Sequence, residues 1–403
     1  MKPLDHDERA LIEGIDQAAM LAQTERWSAL NSGTGNLAGL ARQAEELAGA
    51  FAELPGEVAL HVPATITAVD ADGREVERAH GKHLVLSVRT KAERRFLLTG
   101  HMDTVYPADH PFQTARWSDG DTLNAPGAAD MKGGIAVMLH ALRAFENSAA
   151  ARSVGYDVLI NSDEETGSLS SAALIAELAR NKHAALTYEP SALPDGTLAH
   201  ARGGSGNYSV VITGRSAHAG RNPQEGRNAL IAAATLALEL KSLEHADLTV
   251  NPARIEGGSA NNVVPDHAIL RFNIRPKTTG AAEAFEHALH ALRRAIETDQ
   301  EVAIQVHGGI SRPPKPVDAC AQRLFDLVAD ASIALGRPLG WQASGGVCDG
   351  NNIAACGVPV VDTMGVRGGA IHSPDEYLVV SSLSERAALS AIVLQRLATG
   401  ALA

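Results

Sequence analysis

His101 and Asp103 follow the run RFLLTG, and side chains two apart on an extended strand point the same way. A histidine that binds a metal needs its second ring nitrogen held by an acceptor. Asp103 can supply that acceptor while His101 takes the ion. Taken alone, the pair reads first as an ordinary polar strand end. Asp130 lies in the glycine-rich segment NAPGAADMKGG, just ahead of a helical run containing Val137, Met138 and Leu142. Its carboxylate can cap the exposed N–H groups of that helix, or it can bridge two cations through its two oxygens. Lys132 and the paired glycines shape the turn, because the spacing of a phosphate-binding loop is absent. Glu164 and Glu165 follow YDVLIN and precede a helix beginning near Ser168. They can merely stabilise the helix N-terminus, or they can diverge, one binding a cation and the other accepting a proton from water. Glu189 ends a further strand and is fixed by Pro190, while His372 lies in GGAIHSPDEY.

The elements that must position these groups alternate. Apolar residues recur at helical spacing over 7–25 and 36–54, separated by the loop signal WSALNSGTGN. Strands are predicted at 83–88, 95–100, 156–161 and 185–189, with helices over 133–145 and 169–180 between them. A helix over 318–335 and a strand at 358–365 return the chain to the same sheet. Alternation of this kind predicts an α/β fold with a mixed, largely parallel sheet flanked by helices. In such sheets functional groups gather beyond the carboxyl ends of the strands, where all the candidates but His372 are placed unambiguously. Two histidines and three carboxylates suit zinc, with cobalt or manganese also fitting.

From 203 to 310 the texture changes. NYSVVITG, AILRFNIR and EVAIQVH are strand-like, and amphipathic stretches at 226–241 and 281–298 lie between them. Two helices and four strands make a compact α+β insertion, which divides the chain into 1–202, 203–310 and 311–403. A length of 403 residues also favours two domains over one.

The formal charge of −12 disfavours nucleic acid and anionic membrane surfaces as partners. Cys320, Cys348 and Cys356 are too few and too irregular for a disulfide framework or a thiolate zinc site. The first residues, MKPLDHDERALIEGIDQ, lack the apolar run of a signal peptide or membrane span, which gives the expectation of a cytoplasmic protein.

Together HMDTV, AADMKGG, DEETGS, YEP and IHSPDEY resemble, in order and over nearly the full length, the acetylornithine deacetylase, succinyl-diaminopimelate desuccinylase, aminoacylase and glutamate carboxypeptidase family, most of all its glutamate carboxypeptidase branch. The resemblance implies a dinuclear metal hydrolase of amide or peptide bonds, acting on a C-terminal amino acid or an N-acyl amino acid. It implies that His101 and Glu189 hold one ion and Glu165 and His372 the other, with Asp130 as the bridge and Glu164 as general base. The inserted domain becomes a dimerisation or lid domain. There GRSAHAG, NNVVP and FNIRP are similar to the family's substrate-binding segments, implying roles for His218, Asn262 and Arg275 and a homodimer in which His218 serves the neighbouring subunit.

Independently, Arg275 shares a strand face with Arg271 and Asn273, opposite Leu270, Phe272 and Ile274. It can offer a fork to a carboxylate or simply face water. Arg312 in SRPPK is a further substrate-contact candidate, with an exposed loop arginine as the alternative. Cys348 departs from the resemblance, since relatives often carry Ser or Thr there, and it reads as a small structural residue. The competing function is a non-catalytic metal-containing homologue that binds amino acids or peptides.

Overall fold

The computed structural model describes residues 3–258 and 260–402. The chain forms two compact units. The first takes in the residues up to Ala64, Ala79–Ala201 and those from Val317 onward; the second takes in Thr65–Arg78 and Arg202–Pro316.

The first unit is built on a six-stranded sheet in the spatial order Glu57–His61, His83–Val88, Gly155–Asn161, Arg95–His101, Ala184–Thr187, Val360–Val361. The first two pairings are antiparallel and the remaining three parallel. Its central strands are apolar runs because both faces are covered. Alternate residues feed two cores. Leu84, Leu86, Leu98, Val158 and Ile160 pack on one side, with Ile135, Leu139 and Leu142 of the helix Gly133–Glu146 and Ile392 and Val393 of Ser382–Ala398. Val85, Leu97 and Leu159 pack on the other, with Ile175 of Ala172–Ala179 and Ile353 of Asp349–Ala355. Each such fully buried side chain contributes about 1.5–3 kcal/mol of transfer free energy.

Two helical expectations are modified by local polar chemistry. The stretch 7–25 divides into His6–Glu13 and Gln17–Ser28, because Gly14 closes the first helix and the Asp16 carboxylate starts the second, accepting from the Ala18 and Ala19 N–H groups at 2.9 and 3.1 Å. The helix expected over 169–180 begins only at Ala172. Asp163 accepts hydrogen bonds from the backbone and hydroxyls of both Ser170 and Ser171, at 2.7–3.3 Å, and so draws that segment into a turn.

The second unit carries a four-stranded antiparallel sheet in the order Leu248–Gly257, His267–Pro276, Ser205–Thr213, Ala303–Arg312. The helices Ala229–Ser242 and Thr279–Gln300 share its core, where Leu236, Leu240, Phe285 and Leu289 meet Tyr208, Leu270, Phe272 and Ile274. The hairpin Ile66–Val69/Glu75–Arg78, placed before the insertion in sequence, also groups with this unit. Its strands are four residues each with Val69 alone buried, so they carry little periodic signal. Arg271 secures it, donating to the Val69 and Asp70 carbonyls at 3.2 and 2.6 Å. Among the described residues, no helix is long and apolar enough to cross a membrane.

Candidate metal centre

Parallel strands deliver most of the site. His101 is the last residue of Arg95–His101, and Glu189 lies two residues beyond Ala184–Thr187. Glu164 and Glu165 occupy a single helical turn after Gly155–Asn161. That turn closes on Gly167, whose φ of 99° is open to glycine at no steric cost. Asp130 sits in the tight approach to the helix Gly133–Glu146. A side chain on Gly134 would meet the Tyr188 carbonyl oxygen at 2.1 Å, so glycine is what lets this helix lie against the strand that carries Glu189. His372 comes from a late loop and adopts φ 63°, a left-handed conformation costly for a non-glycine residue.

Asp130 stands at the centre and its two oxygens face different partners. Oδ1 lies 3.1 Å from His101 Nε2, which is 3.8 Å from Glu189 Oε2. Oδ2 lies 3.3 Å from His372 Nε2, which is 3.2 Å from Glu165 Oε2. Glu164 falls with His101 and Glu189 in a group whose ligand-type atoms all lie within 4.8 Å of one another, as do those of His101, Asp130 and Glu165. Six of the expected residues thus meet in one place.

Asp103, the seventh, acts on two of them. The His101 Nδ1 is 3.0 Å from the Asp103 carbonyl and 3.4 Å from its carboxylate. The same carboxylate accepts the Glu164 and Glu165 N–H groups at 3.2 Å each and the Thr34 hydroxyl at 2.8 Å. Asp103 therefore sets the imidazole and the acidic turn together.

The electrostatics show a site that demands positive charge. Hydrogen bonds to Asp130 and Glu165 push the His372 imidazole up to about 11. Burial works against a charged His101, yet Asp103, Asp130 and Glu189 still raise its pKa well above the ordinary value. Burial and the neighbouring Asp130 push Glu165 up to about 7. Oxygen and imidazole donors around that charge demand fit divalent zinc, cobalt or manganese.

Glu376 carries no mark in the sequence of the role it has here. Four residues beyond His372 and 1% exposed, it accepts the Gly127, Ala129 and Asp130 N–H groups at 3.0, 2.9 and 3.0 Å and the Tyr106 hydroxyl at 2.8 Å. It therefore holds the loop that aims Asp130. Its acidic neighbour Asp375 stands in the same IHSPDEY segment, and nothing in the sequence separates the buried acid from the exposed one. Cys348 caps the helix Asp349–Ala355, and its own N–H donates to the Asn351 side chain at 3.1 Å. The thiol thus occupies a helix-capping position.

The remaining candidates belong to the second unit. His218 and Asn262 are neighbours there, with His218 bridged to Val263 and the Ala219 N–H donating to the Asn262 carbonyl at 2.9 Å. Leu270, Phe272 and Ile274 are buried while Arg275 is exposed, as the alternation requires. Arg275 Nε donates to Asn273 Oδ1 at 3.0 Å. Arg312 is not an exposed loop residue: it is 2% exposed and ends the strand Ala303–Arg312, opposite Ser205.

The profile of peptidase family M20/M25/M40 matches residues 97–396, which include every clustered side chain. The chain belongs to this family. Carboxypeptidase G2 of Pseudomonas sp. (strain RS-16) is 29% identical over 395 residues, covering 96% of this chain and 91% of that protein. Succinyl-diaminopimelate desuccinylase of Psychrobacter arcticus is 29% identical over 324 residues, covering 74% and 77%. A tripeptidase from Staphylococcus aureus has the same fold, with a TM-score of 0.72 at 23% identity, covering 96% of this chain and 99% of that one. As an M20 peptidase the protein is a hydrolase, and the reaction is metal-dependent cleavage of an amide or peptide bond.

Proposed function

We propose that this M20 peptidase cleaves an amide bond in a substrate with a free carboxylate, either a C-terminal amino acid of a peptide or an N-acyl amino acid. The observation that carries this reading is the division of Asp130, with one oxygen toward His101 and Glu189 and the other toward His372 and Glu165. Those five residues would hold two divalent ions, zinc first, with Asp130 between them. When bound, the ions polarise the scissile carbonyl and make water acidic enough to attack near neutral pH. Glu164, beside His101 and Glu189, takes the proton of the attacking water and passes it to the leaving nitrogen. Asp103 fixes the direction of His101 and of the turn bearing Glu164.

Arg275 supplies a guanidinium for the substrate carboxylate, and Asn262 and Arg312 are further assigned to substrate binding. His218 accepts the Gly220 N–H on Nδ1 at 3.1 Å, which keeps its proton on Nε2 as a donor for the developing oxyanion. The names of carboxypeptidase G2 and of the desuccinylase support the two substrate types. We place the enzyme in the cytoplasm, in keeping with its free cysteines, and assign it as a homodimer in which His218 serves the other subunit.

Elemental analysis of purified protein is expected to find about two divalent ions per chain, and chelation to abolish hydrolysis of dipeptides and N-acyl amino acids. Activity unchanged after verified metal removal would overturn the reading. Glu164→Ala should keep its metal and lose activity by at least about 10²-fold.

A further inference from the structure

The turn bearing Glu164 and Glu165 is held at both ends. Asp103 accepts the two backbone N–H groups at its start. Just beyond its end stands Ser168, whose φ of 54° puts a non-glycine residue in the left-handed region. Such a conformation persists only where surrounding contacts over-determine it. The Ser168 N–H donates to the Asp163 carbonyl at 2.8 Å, and the Ser168 hydroxyl donates to Asp349 Oδ1 at 2.5 Å.

Asp349 comes from GGVCDGN, 181 residues away in the chain, and is 1% exposed. It opens the helix Asp349–Ala355, which Ile353 roots in the same core as Val85, Leu97 and Leu159. Its second oxygen accepts the Asn161 amide at 2.6 Å. Asn161 is the last residue of Gly155–Asn161, pairs in register with His101, and accepts the Met102 N–H on its carbonyl at 2.8 Å. One carboxylate thus ties the far end of the acidic turn to the strand end beside His101. An ionised acceptor makes both bonds stronger than a neutral one would.

We infer that Asp349 is a positioning residue for hydrolysis: it locks Ser168 in its left-handed conformation and thereby fixes the direction of Glu164 as base and of Glu165 as metal ligand. The assignment rests on the catalytic reading of those two acids. Without the carboxylate, the Ser168 hydroxyl and the Asn161 amide lose their shared acceptor, Ser168 relaxes from positive φ, and the turn swings about its remaining anchor at Asp103.

Wild type, Ser168→Ala, Asp349→Asn, Asp349→Ala and the double variant Ser168→Ala/Asp349→Ala are compared in two ways. One is kcat and KM on an N-acyl amino acid and a dipeptide at saturating zinc; the other is zinc affinity from titration with a competing chelator. Ser168→Ala removes one hydroxyl and leaves Asp349 with Asn161. It should lower kcat by about tenfold with KM within about twofold, and weaken zinc binding by about tenfold. Asp349→Ala should lose at least as much, and the double variant no more than Asp349→Ala, because both changes break one linkage. Asp349→Asn should stay within about threefold of wild type, since its oxygen serves Asn161 and its NH₂ donates to the Ser168 hydroxyl, which accepts as well as donates. Wild-type kcat and zinc affinity in Ser168→Ala, a raised KM with kcat unchanged, or losses that multiply in the double variant would overturn the assignment. Should Asp349→Ala fail to fold, Ser168→Ala and Asp349→Asn decide it. No turnover by metal-loaded wild type would instead defeat the catalytic reading, and the zinc affinities would then decide whether Asp349 positions Glu165.

Discussion

At the scale of single residues, the site depends on side chains that never need to touch substrate. Glu376 turns three backbone N–H groups and the Tyr106 hydroxyl toward one carboxylate. Glu376→Gln replaces an acceptor oxygen with an NH₂ group that faces existing donors, so the Asp130 loop must shift. Metal affinity should fall by about 10–100-fold, the usual effect of disturbing the groups that orient metal ligands, and titration with a competing chelator measures it. Wild-type affinity in that variant would show that the loop is held by other means. Glu376 was illegible in sequence because its role is set by which backbone amides reach it. His101 and Asp130 were legible because their types and neighbouring motifs already pointed to metal chemistry.

At the scale of elements, the helix Gly133–Glu146 links the site to the core and carries its own titrating group. Burial holds the His140 imidazole down to about 4, and Arg143, donating to His140 Nε2 at 3.2 Å, acts in the same direction. An unfolded histidine titrates near pH 6.5. Between pH 6.5 and 4 the unfolded chain binds the extra proton, so this contribution is complete above about pH 6.5 and is lost as pH falls toward 4. Urea unfolding of His140→Gln should show a shallower loss of stability across that window than wild type, and parallel curves would refute the assignment. At the other end of the helix, Gly134→Ala must displace the Tyr188 carbonyl or the helix itself. A fall in the thermal midpoint is expected, together with weaker metal binding, because the strand pressed against the helix carries Glu189.

At the scale of the whole molecule, two units of different architecture divide the candidate groups. The charge-demanding centre lies in the first unit and the proposed carboxylate and oxyanion groups in the second. Acids packed as closely as Asp130 and Glu165 repel one another in the absence of cations, and this repulsion adds to burial in raising Glu165. Zinc at a hundred times its dissociation constant should therefore stabilise the folded protein by about 2.7 kcal/mol for each site filled. Calorimetry with and without metal tests this, and a midpoint indifferent to zinc would contradict a site built for cations.

Sequence by itself determined the alternation of strands and helices, the family, and the side chains able to bind metal, because periodicity and chemical type are local properties. His83–Val88 and Arg95–His101 could be read from their apolar runs. The four-residue strands of the hairpin Ile66–Val69/Glu75–Arg78, with one buried residue between them, could not, and only their contacts within the second unit assign them there. Tertiary structure alone decided that Asp163 delays a helix, that Arg312 is buried, and that Glu376 holds Asp130. It also decided that the two oxygens of Asp130 face separate His–carboxylate pairs. Each depends on residues far apart in the chain, whose distance and burial exist only once the sheet and its loops have closed around them.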